Sequence, residues 1–479
     1  MRIEELINLI KKGKVSGISS DSKRIKRGFV FVAVKGAKKD GSKFIDEALA
    51  KGAKFIVCDS KDGPGRANPE VFIRVNNTRL ALGNLAASFY KNPSVKTKVI
   101  GVTGTNGKTT VTYLLEALLK EAGLSPAVIG TVNYRFKGVV KPAKNTTPGS
   151  LELQSMLSEM VKRGIDYVVM EASSHALEQD RVGRIDFHSA IFTNLAQDHL
   201  DYHKTLANYF QAKAKLFKGI SPGSFVVINN DDKHSSKLKK ITPAKIITYG
   251  INKKADVTAR DIRFGPGYTE FNLCLRRSKT RLKTKLIGRH NVYNMLAASA
   301  WAIKEGLSLE IIRSAFEKFS SVPGRLERID SEKGGFCVFV DYAHTEDALK
   351  EALGALRQLS PERIITVFGC GGERDKLKRP KMGKVVSRLS DFAIVTSDNP
   401  RSEDPSDIAR DIKKGILNDN YCVILDRQKA IREALSMAKP GDIVLLAGKG
   451  HENCQVLKDK IVHFNDREEA EACLMSLNY

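Results

Sequence analysis

Hydrophobic residues along this chain occur in two patterns, as short continuous apolar runs and as longer segments with helical spacing. The stretch VIGVTGTNGKTTVTYLLEAL, Val99 to Leu118, contains both. Its first apolar run predicts a buried strand, and after a glycine-rich turn the apolar residues recur at helical spacing, namely Val111, Leu114, Leu115, Leu118 and Leu119. Gly123 predicts the end of that helix. The pattern therefore predicts a strand, a turn and an amphipathic helix in direct succession.

The turn has the composition of a phosphate-binding loop. Gly104 and Gly107 allow the backbone to curl so that several N–H groups point inward. The helix N-terminus adds a partial positive charge and Lys108 adds a full one. The hydroxyl of Thr109 or Thr110 is of the kind that holds Mg²⁺ against bound phosphates. The sequence therefore predicts a nucleotide site in this turn.

The glycine spacing differs from the usual P-loop pattern. That pattern places its first glycine at the position that Val102 occupies here. The glycines of this chain instead form a GxxGxxGKT spacing from Gly101 onward. We therefore expect a variant phosphate loop rather than a generic nucleotide switch.

Further apolar runs divide the chain into three segments. Residues 1–96 contain the predicted strand FVFVAV, the helix-like segment FIDEALAKGA and the strand KFIVCDS, which together indicate a small α/β unit. In residues 97–322 the runs DYVVMEAS, SAIFTNL and SFVVINND end in polar residues, as buried parallel strands do. In residues 323–479 the runs GFCVFVDYAH, RIITVFGCGG, FAIVTSDNP and DIVLLAGKGHE alternate with helices. Ligands of such sheets bind beyond the carboxyl ends of the strands, so the polar clusters there predict a second site.

Composition narrows the class of protein. A length of 479 residues corresponds to roughly three domains. No apolar run is long enough to cross a membrane, and MRIEELINLIKKGK reads as an amphipathic helix rather than a signal peptide, so we expect a cytoplasmic protein without a membrane partner. Seven scattered cysteines without a CxxC pair argue against a disulfide scaffold or a zinc site.

The formal net charge of +25 is the composition feature that suggests nucleic-acid binding. The basic residues are dispersed, as in KKGK, SKRIKR and SKLKKITPAK, and few aromatic residues lie among them. A basic surface attracts anionic small substrates equally well. We therefore expect no nucleic-acid partner.

Polar side chains at two strand ends of the middle segment suit the same chemistry as the loop. Glu171 ends the strand DYVVME, where its carboxylate can hold Mg²⁺ opposite the threonine hydroxyl. Asp198 and His199 follow the strand SAIFTNL, and a neutral imidazole at His199 could complete a divalent site. His175 and His203 read as packed polar residues when they are taken alone.

Nine motifs occur in the order found in the Mur ligases, and the chain resembles that family over nearly its whole length. They are GVTGTNGKTT, MEASSHAL, FTNLAQDHLDYH, HNVYN, VPGRLER, DYAHTEDAL, GCGGERDK, DNPR and AGKGHE. Within the family the chain is most similar to the members that add the third residue of the peptidoglycan stem peptide. The resemblance implies an α/β protein of three domains, namely an N-terminal domain for the UDP end of the substrate (1–96), a central P-loop-type ATPase domain with a mostly parallel sheet (97–322) and a C-terminal Rossmann-like domain for the amino acid (323–479). It also implies a monomer that uses ATP, Mg²⁺ and UDP-N-acetylmuramoyl-L-alanyl-D-glutamate.

The resemblance assigns roles residue by residue. Ser22 would contact the uridine diphosphate, and the sugar-peptide would be held by Asn145, Thr146, Thr147, Ser173, Gln179 and Arg181. ATP would be bound by Gly104, Thr105, Asn106, Gly107, Lys108, Thr109, Thr110, His290, Asn291, Arg325 and Asp341. The catalytic residues would be Lys108, Glu171, His199 and Lys213, and the metal ligands would be Thr109, Glu171, His199 and Lys213.

The resemblance to the Mur ligases changes the role expected for Lys213. Lys213 and Lys215 lie in the helical segment NYFQAKAKLF, and from the residues alone both read as solvated helix lysines. Lys213 matches the family lysine that becomes carbamylated. Carbamylation turns a cation into an anion that can bind a second Mg²⁺.

The incoming amino acid is indicated by SDNPRSEDP. Within the family Asp398, Asn399, Pro400 and Arg401 match the pattern of enzymes that use meso-diaminopimelate, together with Arg374, Gly448 and Glu452. The second carboxylate of diaminopimelate suits a guanidinium, which can donate two parallel hydrogen bonds to it, whereas lysine has no such carboxylate. We therefore expect meso-diaminopimelate as the amino-acid substrate.

Four alternatives stay open at this stage. They are a lysine-adding ligase, a folate-tailing ligase with the same loop, a non-catalytic UDP-sugar-binding protein and a nucleic-acid-stimulated ATPase. The lysine-adding ligase differs in its amino-acid substrate, and the folate-tailing ligase has no role for the N-terminal unit or for DNPR. A non-catalytic binding protein would tolerate loss of Lys108. A nucleic-acid-stimulated ATPase would hydrolyse ATP faster with DNA or RNA.

Overall fold

The computed structural model describes residues 1–36, 40–60, 70–265, 267–331 and 334–477, and these form three α/β units in chain order. The first unit contains α1 (Ile3–Lys11), β1 (Gly17–Ser19), β2 (Phe29–Val32), α2 (Ile45–Ala50), β3 (Phe55–Asp59), β4 (Phe72–Val75) and α3 (Thr78–Phe89). Its described strands form a parallel sheet in the order β1-β2-β3-β4. The predicted strand FVFVAV ends early, at Val32, because the Val34 N–H turns back to the Val32 carbonyl (2.9 Å).

The second unit carries the largest sheet. Its elements are β5 (Lys98–Thr103), α4 (Lys108–Glu121), β6 (Pro126–Ile129), β7 (Asn133–Phe136), β8 (Val139–Pro142), α5 (Ser150–Lys162), β9 (Tyr167–Glu171), α6 (Ser174–Glu178), β10 (Phe187–Phe192), α7 (Leu200–His203), α8 (Leu206–Lys218), β11 (Phe225–Asn229), α9 (Ser235–Ile241), β12 (Lys245–Gly250), β13 (Val257–Gly265), β14 (Tyr268–Cys274), β15 (Lys279–Thr284), α10 (Arg289–Glu305) and α11 (Leu309–Lys318). The strand order is β15-β14-β13-β12-β11-β10-β5-β9-β6-β7-β8. The strands from β13 to β6 run parallel, and antiparallel strands extend both edges.

Alternation along β5 explains why this sheet is covered on both faces. Ile100 and Val102 are fully buried on the face that packs against α4, where Leu114 is also fully buried. Val99, one position along the strand, is buried in the core cluster of the opposite face. Because successive side chains of a strand point to opposite faces, a continuous apolar run requires helices on both sides.

The third unit contains β16 (Glu327–Asp330), β17 (Cys337–Asp341), α12 (Glu346–Arg357), β18 (Ile364–Phe368), α13 (Lys378–Leu389), β19 (Phe392–Val395), α14 (Pro405–Lys413), β20 (Tyr421–Val423), α15 (Arg427–Met437), β21 (Ile443–Ala447), β22 (Cys454–Val456), β23 (Ile461–His463) and α16 (Asp466–Ser476). Its main sheet has the order β16-β17-β21-β18-β19-β20, parallel except for β16. The predicted α/β fold of three units is confirmed, and the boundaries at 96 and 322 stay predictions.

The composition raised two questions that the structure addresses, namely disulfides and membrane-spanning helices. The seven cysteines all lie in the described ranges, and none of them forms a disulfide there. Within the described ranges, we find no helix with the length and apolar character that a membrane span requires.

Candidate active site

The turn after β5 contains two glycines whose backbone conformation and close surroundings disfavour any side chain. Gly104 has φ +154° and Gly107 has φ +84°, conformations that L side chains rarely adopt. A Cβ atom at Gly104 would overlap the Thr193 hydroxyl, and one at Gly107 would overlap the side-chain oxygen of Asn294. The turn therefore keeps its backbone close to two neighbouring elements, β10 and α10, and α4 begins directly at Lys108.

Lys108 folds its ammonium back over the turn. Its Nζ donates hydrogen bonds to the carbonyls of Gly104 (3.0 Å) and Thr105 (2.8 Å). No carboxylate of the described residues forms an ion pair with it within 4.0 Å. Burial lowers the pKa of Lys108, while the carboxylates of Glu171 and Asp198 oppose that shift. A cation held in a glycine-rich turn without a paired carboxylate suits the phosphates of a nucleotide.

Glu171 lies opposite the start of α4. It is buried, and its Oε1 accepts hydrogen bonds from the Thr109 hydroxyl (3.1 Å) and the Thr131 N–H (2.8 Å), while Oε2 accepts from the Thr131 hydroxyl (3.0 Å). A hydroxyl and a carboxylate side by side are the hard oxygen donors that Mg²⁺ prefers. Among the described residues no group of three or more His, Cys, Asp or Glu side chains forms a ready metal cluster. The pair Thr109 and Glu171 therefore fits Mg²⁺ as a partial ligand set.

Lys213 and Lys215 differ completely in their surroundings. The Lys213 side chain is 1% exposed and its Nζ donates to the Gly104 carbonyl (2.7 Å), with the Tyr209 ring 4.3 Å away. Burial, together with the nearby Lys108 charge, lowers the pKa of Lys213 well below its usual value. Lys215 pairs with Glu178 (2.9 Å) at the surface. Only Lys215 is the solvated helix lysine that the sequence alone predicts for both.

Three histidines gather beside the turn. His199 has φ +54° and lies 3.4 Å from Asp198, and desolvation lowers the pKa of His199 to about 4 although Asp198 opposes the shift. Its ring is therefore neutral at physiological pH and keeps a lone pair free for a ligand. His175 packs edge-on against it at 4.8 Å. His203 is buried and bonds the Ser174 hydroxyl (3.0 Å), as expected for a packed polar residue.

The residues assigned to the sugar-peptide converge on the far side of Glu171. The Thr147 hydroxyl donates to the Glu171 carbonyl (2.7 Å) and to the Ser173 hydroxyl (3.2 Å). Arg181 donates to Gln179 Oε1 (2.7 Å) and to the Thr147 carbonyl (3.0 Å). The residues assigned to the sugar-peptide are Asn145, Thr146, Thr147, Ser173, Gln179 and Arg181.

The residues assigned to the adenine lie at the start of α10. His290 Nδ1 is buried without a hydrogen-bond partner among the described residues, and burial lowers the pKa of His290 to about 4. Asn291 donates to the Ile287 carbonyl (2.8 Å) and accepts from Asn294 (3.0 Å). His290 lines the cavity over the glycine-rich turn, and a buried ring nitrogen without a partner is a group for which a ligand or an ordered water can supply the hydrogen bond.

The third unit closes one side of the site. Arg325 reaches the Thr109 hydroxyl (3.4 Å) and its guanidinium lies 4.6 Å from the ring centre of Tyr342. Asp341 accepts hydrogen bonds from the N–H groups of Leu326 (2.7 Å) and Ala343 (2.8 Å), and burial raises the pKa of Asp341. Residues of both units line a cavity of about 660 Å³ over the glycine-rich turn.

The predicted amino-acid residues form a second cluster within the third unit. Arg401 has φ +52°, a strained conformation for a non-glycine residue, and donates to the Gly372 carbonyl (2.7 Å). No carboxylate of the described part of the chain pairs with it within 4.0 Å. Asn399 donates to Glu452 (2.8 Å), which joins the DNPR loop to the AGKGHE loop. Asp398, Pro400 and Gly448 are buried beside them and Arg374 is exposed.

Ser22 is the predicted residue that the structure keeps apart from the others. It lies in the first unit, where its hydroxyl donates to Glu47 (2.8 Å). Neither Ser22 nor the amino-acid cluster lines the cavity over the turn. The predicted residues therefore fall into three places: Ser22 in the first unit, the site around the glycine-rich turn to which the second and third units both contribute, and the amino-acid cluster within the third unit.

Several residues of the site were missed by the sequence reasoning. Asn194 accepts a hydrogen bond from the Asn106 N–H (2.9 Å) and so shapes the turn from β10. Tyr342 lines the cavity, and Asn294 packs on Gly107. All three stand inside motifs that the resemblance uses, FTNLAQDHLDYH, HNVYN and DYAHTEDAL, so a reading of each motif at every polar position would have found them.

The glycine-rich turn opens a helix directly after a parallel strand, and another α/β unit covers it and brings an arginine over it. This arrangement is that of a nucleotide-dependent enzyme of several domains. Comparison with known families agrees with this class. The Mur ligase family, catalytic domain, matches residues 14–90, the Mur ligase middle domain matches residues 102–302, and the Mur ligase, glutamate ligase domain, matches residues 324–450. The chain belongs to the Mur ligase family.

Individual relatives resemble the chain over almost its full length. The UDP-N-acetylmuramoyl-L-alanyl-D-glutamate--2,6-diaminopimelate ligase 1 of Clostridium acetobutylicum is 45% identical over 95% of this chain and 94% of its own. A solved structure of a UDP-N-acetylmuramoyl-L-alanyl-D-glutamate--2,6-diaminopimelate ligase superposes with a TM-score of 0.70 at 33% identity, covering 97% of this chain and 96% of the other. The MurF ligase of Thermotoga maritima, in complex with ADP, shares the fold with a TM-score of 0.64 at 21% identity, covering 96% and 97%. The predicted family is thereby confirmed.

Proposed function

We propose that this protein is an ATP-dependent ligase that joins meso-diaminopimelate to the side-chain carboxylate of D-glutamate in UDP-N-acetylmuramoyl-L-alanyl-D-glutamate. ATP is converted to ADP and phosphate in this reaction, which belongs to peptidoglycan precursor synthesis. Relatives that are 42–45% identical carry the name UDP-N-acetylmuramoyl-L-alanyl-D-glutamate--2,6-diaminopimelate ligase, which supports this proposal. The observation that carries the choice of amino acid concerns the DNPR loop: Arg401 pairs with no carboxylate of the described residues, and Asn399 of the same loop bonds the carboxylate of Glu452. A guanidinium can bind a carboxylate, and a carboxylate can bind an ammonium.

The first step activates the D-glutamate carboxylate, which is a poor electrophile in water. A carboxylate oxygen attacks the γ-phosphorus of ATP, the bond to the β-phosphate oxygen breaks, and an acyl phosphate and ADP result. The chain's task is to position the groups and to offset their negative charge. Lys108 and Arg325 are two of the cationic side chains that line the cavity over the turn, and the N–H groups of the turn add hydrogen-bond donors for the phosphates.

The second step forms the amide. The deprotonated amine of diaminopimelate attacks the carbonyl carbon of the acyl phosphate, and phosphate leaves. The acyl phosphate would hydrolyse in open water, so the cover provided by the third unit protects it. No protein nucleophile is needed for either step.

The metal and the carbamylated lysine belong to the same proposal. Mg²⁺ would supply charge neutralisation of the phosphates when bound. Thr109, Glu171 and His199 would hold it, the last through its neutral ring. The depressed pKa of Lys213 supports carbamylation, because only a neutral amine reacts with carbon dioxide. Ser22 would contact the uridine diphosphate in the first unit.

The selection of the amino acid rests on the third unit. Arg401 and Arg374 would hold the distal carboxylate of diaminopimelate, and Asp398, Asn399, Gly448 and Glu452 would surround its distal ammonium. L-Lysine would place a cation near Arg401 and offer it no carboxylate. We also propose, from the family resemblance, that the protein acts as a monomer in the cytoplasm.

The direct test is phosphate release with ATP, Mg²⁺ and UDP-N-acetylmuramoyl-L-alanyl-D-glutamate, in parallel with meso-diaminopimelate, L-lysine and no amino acid. We expect kcat/KM to be far higher with meso-diaminopimelate than with L-lysine, and no phosphate release above background without an amino acid. A preference for L-lysine would keep the ligase chemistry and refute the choice of amino acid. Tight binding of the UDP-sugar substrate without turnover in any arm would favour a non-catalytic binding protein.

A further inference from the structure

A buried cation lies beneath the amino-acid cluster without lining the cavity over the turn. Lys449, in the AGKGHE loop, has a fully buried side chain. Its Nζ donates hydrogen bonds to the Cys454 carbonyl (2.7 Å), to Asn399 Oδ1 (3.2 Å) and to Glu452 Oε2 (3.2 Å). An ammonium has three N–H donors, so these contacts use all of them. Lys449 is therefore not available to touch a substrate.

The contacts of Lys449 fix the orientation of the Asn399 amide. Asn399 Oδ1 accepts from Lys449 and from the Val456 N–H (2.9 Å), and its Nδ2 donates to Glu452 Oε2 (2.8 Å). If the amide flipped, its NH₂ group would face two donors. The cation thus determines which edge of Asn399 faces the amino-acid cluster.

Glu452 is oriented by the same network. Its Oε2 receives hydrogen bonds from both Lys449 and Asn399, whereas no donor of the described residues bonds Oε1. The Glu452 side chain is 29% exposed. One carboxylate oxygen is therefore anchored inward and the other is left for a ligand.

Lys449 also faces a second carboxylate. Asp398 Oδ1 lies 3.9 Å from Nζ and is buried without a hydrogen-bond partner among the described residues. The two carboxylates together carry two negative charges, and the buried ammonium cancels one of them. A buried charge of this kind requires a compensating partner.

We propose that Lys449 is a positioning residue that makes the amino-acid cluster selective for a zwitterionic side-chain end over a purely cationic one. It holds Asn399 and Glu452 in place and removes one negative charge that would otherwise attract a cationic side chain. This inference rests on the proposed function, in which the distal end of diaminopimelate carries one carboxylate and one ammonium. L-Lysine carries only the ammonium.

The test is Lys449→Met, which keeps the unbranched stem of the side chain and removes its ammonium, with Lys458→Met as the control on an exposed position of the same segment. We expect the KM for meso-diaminopimelate to rise about 10-fold or more, as loss of charge-assisted hydrogen bonds predicts. The KM values for ATP and the UDP substrate should change little. The ratio of kcat/KM for meso-diaminopimelate to that for L-lysine should fall.

The outcomes separate this inference from the proposed function. Wild-type protein without turnover on meso-diaminopimelate would refute the proposed function itself. If the wild type is active, two results for Lys449→Met would make Lys449 a structural lysine. One is an equal rise in KM for ATP, the UDP substrate and meso-diaminopimelate. The other is an unchanged ratio of kcat/KM for meso-diaminopimelate to that for L-lysine. If Lys449→Met does not fold, Lys449→Arg keeps the charge and changes the contacts. We then expect a raised KM for meso-diaminopimelate with the preference over L-lysine retained, and wild-type kinetics would overturn the inference.

Discussion

The Lys213 ammonium donates a hydrogen bond to the Gly104 carbonyl (2.7 Å), which joins α8 directly to the glycine-rich turn. Burial lowers the pKa of Lys213, so a larger share of this side chain is a neutral amine that can take up carbon dioxide. We expect Lys213→Ala to reduce phosphate release by about 100-fold or more, the scale typical for loss of a group that stabilises charge in a transition state. Lys215→Ala, two positions along the same helix, should stay within about twofold, because exposed ion pairs contribute little.

Carbamylation itself can be observed apart from activity. We expect carbon-13 bicarbonate to label the wild-type protein with a carbamate signal in the NMR spectrum. The signal should persist in Lys215→Ala and be absent from Lys213→Ala. An unlabelled wild type with full activity would remove the carbamate from the mechanism.

Lys108→Ala should abolish ADP formation while the protein remains folded. Its ammonium contacts only carbonyls of the turn, so truncation removes charge from the phosphate site without breaking an ion pair. We expect a loss of about 100-fold or more in kcat. Lys120→Ala, on the exposed face of the same helix, is the matched control. Substantial residual turnover in Lys108→Ala would refute the role of this loop in ATP use.

Arg401→Ala should weaken turnover with meso-diaminopimelate far more than turnover with L-lysine. The lost charged hydrogen bonds are worth about 1.5–3 kcal/mol, which corresponds to a decrease of roughly 10- to 150-fold in kcat/KM. The matched control is Arg410→Ala, because Arg410 is an exposed arginine in a surface pair with Asp407. Equal losses with both amino acids would make Arg401 a structural residue.

Gly324→Ala should destabilise the contact between the start of the third unit and the AGKGHE loop. Gly324 has φ +64°, and a Cβ atom there would collide with the backbone of Gly450 and His451. We expect a destabilisation of about 2–5 kcal/mol from strain and overpacking combined, measured by denaturant unfolding. Gly13→Ala has a similar φ of +70° and open space around it, so it should show the backbone strain alone. Similar costs for both variants would contradict the steric coupling between residue 324 and the AGKGHE loop.

His290 should make folding stability depend on pH. Burial lowers the pKa of His290 from 6.5 to about 4, so the unfolded chain binds more protons than the folded protein between these two values. The contribution is present above about pH 6.5 and is lost as the pH falls toward about pH 4. We expect His290→Asn to reduce the pH slope of the unfolding free energy in this window. An unchanged pH slope in His290→Asn would contradict a folded-state pKa of about 4 for His290.

The chain sequence determined the fold class and the position of the turn because these depend on local patterns. The apolar runs identified the strands β5, β9, β10 and β11, since strands covered on both faces have no polar alternation. The turn between β5 and α4 was predictable because its glycines and its lysine are contiguous. The predicted end of β2 was wrong, because the Val34 N–H donates to the nearby Val32 carbonyl instead of extending the strand.

Tertiary structure decided what depends on contacts between distant segments. Lys213 and Lys215 have the same residue type and neighbouring helix positions, and only packing against the glycine-rich turn buries one of them. Lys449 lies in a motif whose letters predict a loop. Its contacts with Glu452 and Cys454 are local, but its contact with Asn399 exists because a loop fifty residues earlier in the chain packs against the AGKGHE loop. Burial changes both pKa and hydrogen-bond partners, and no linear pattern records which segments will supply it.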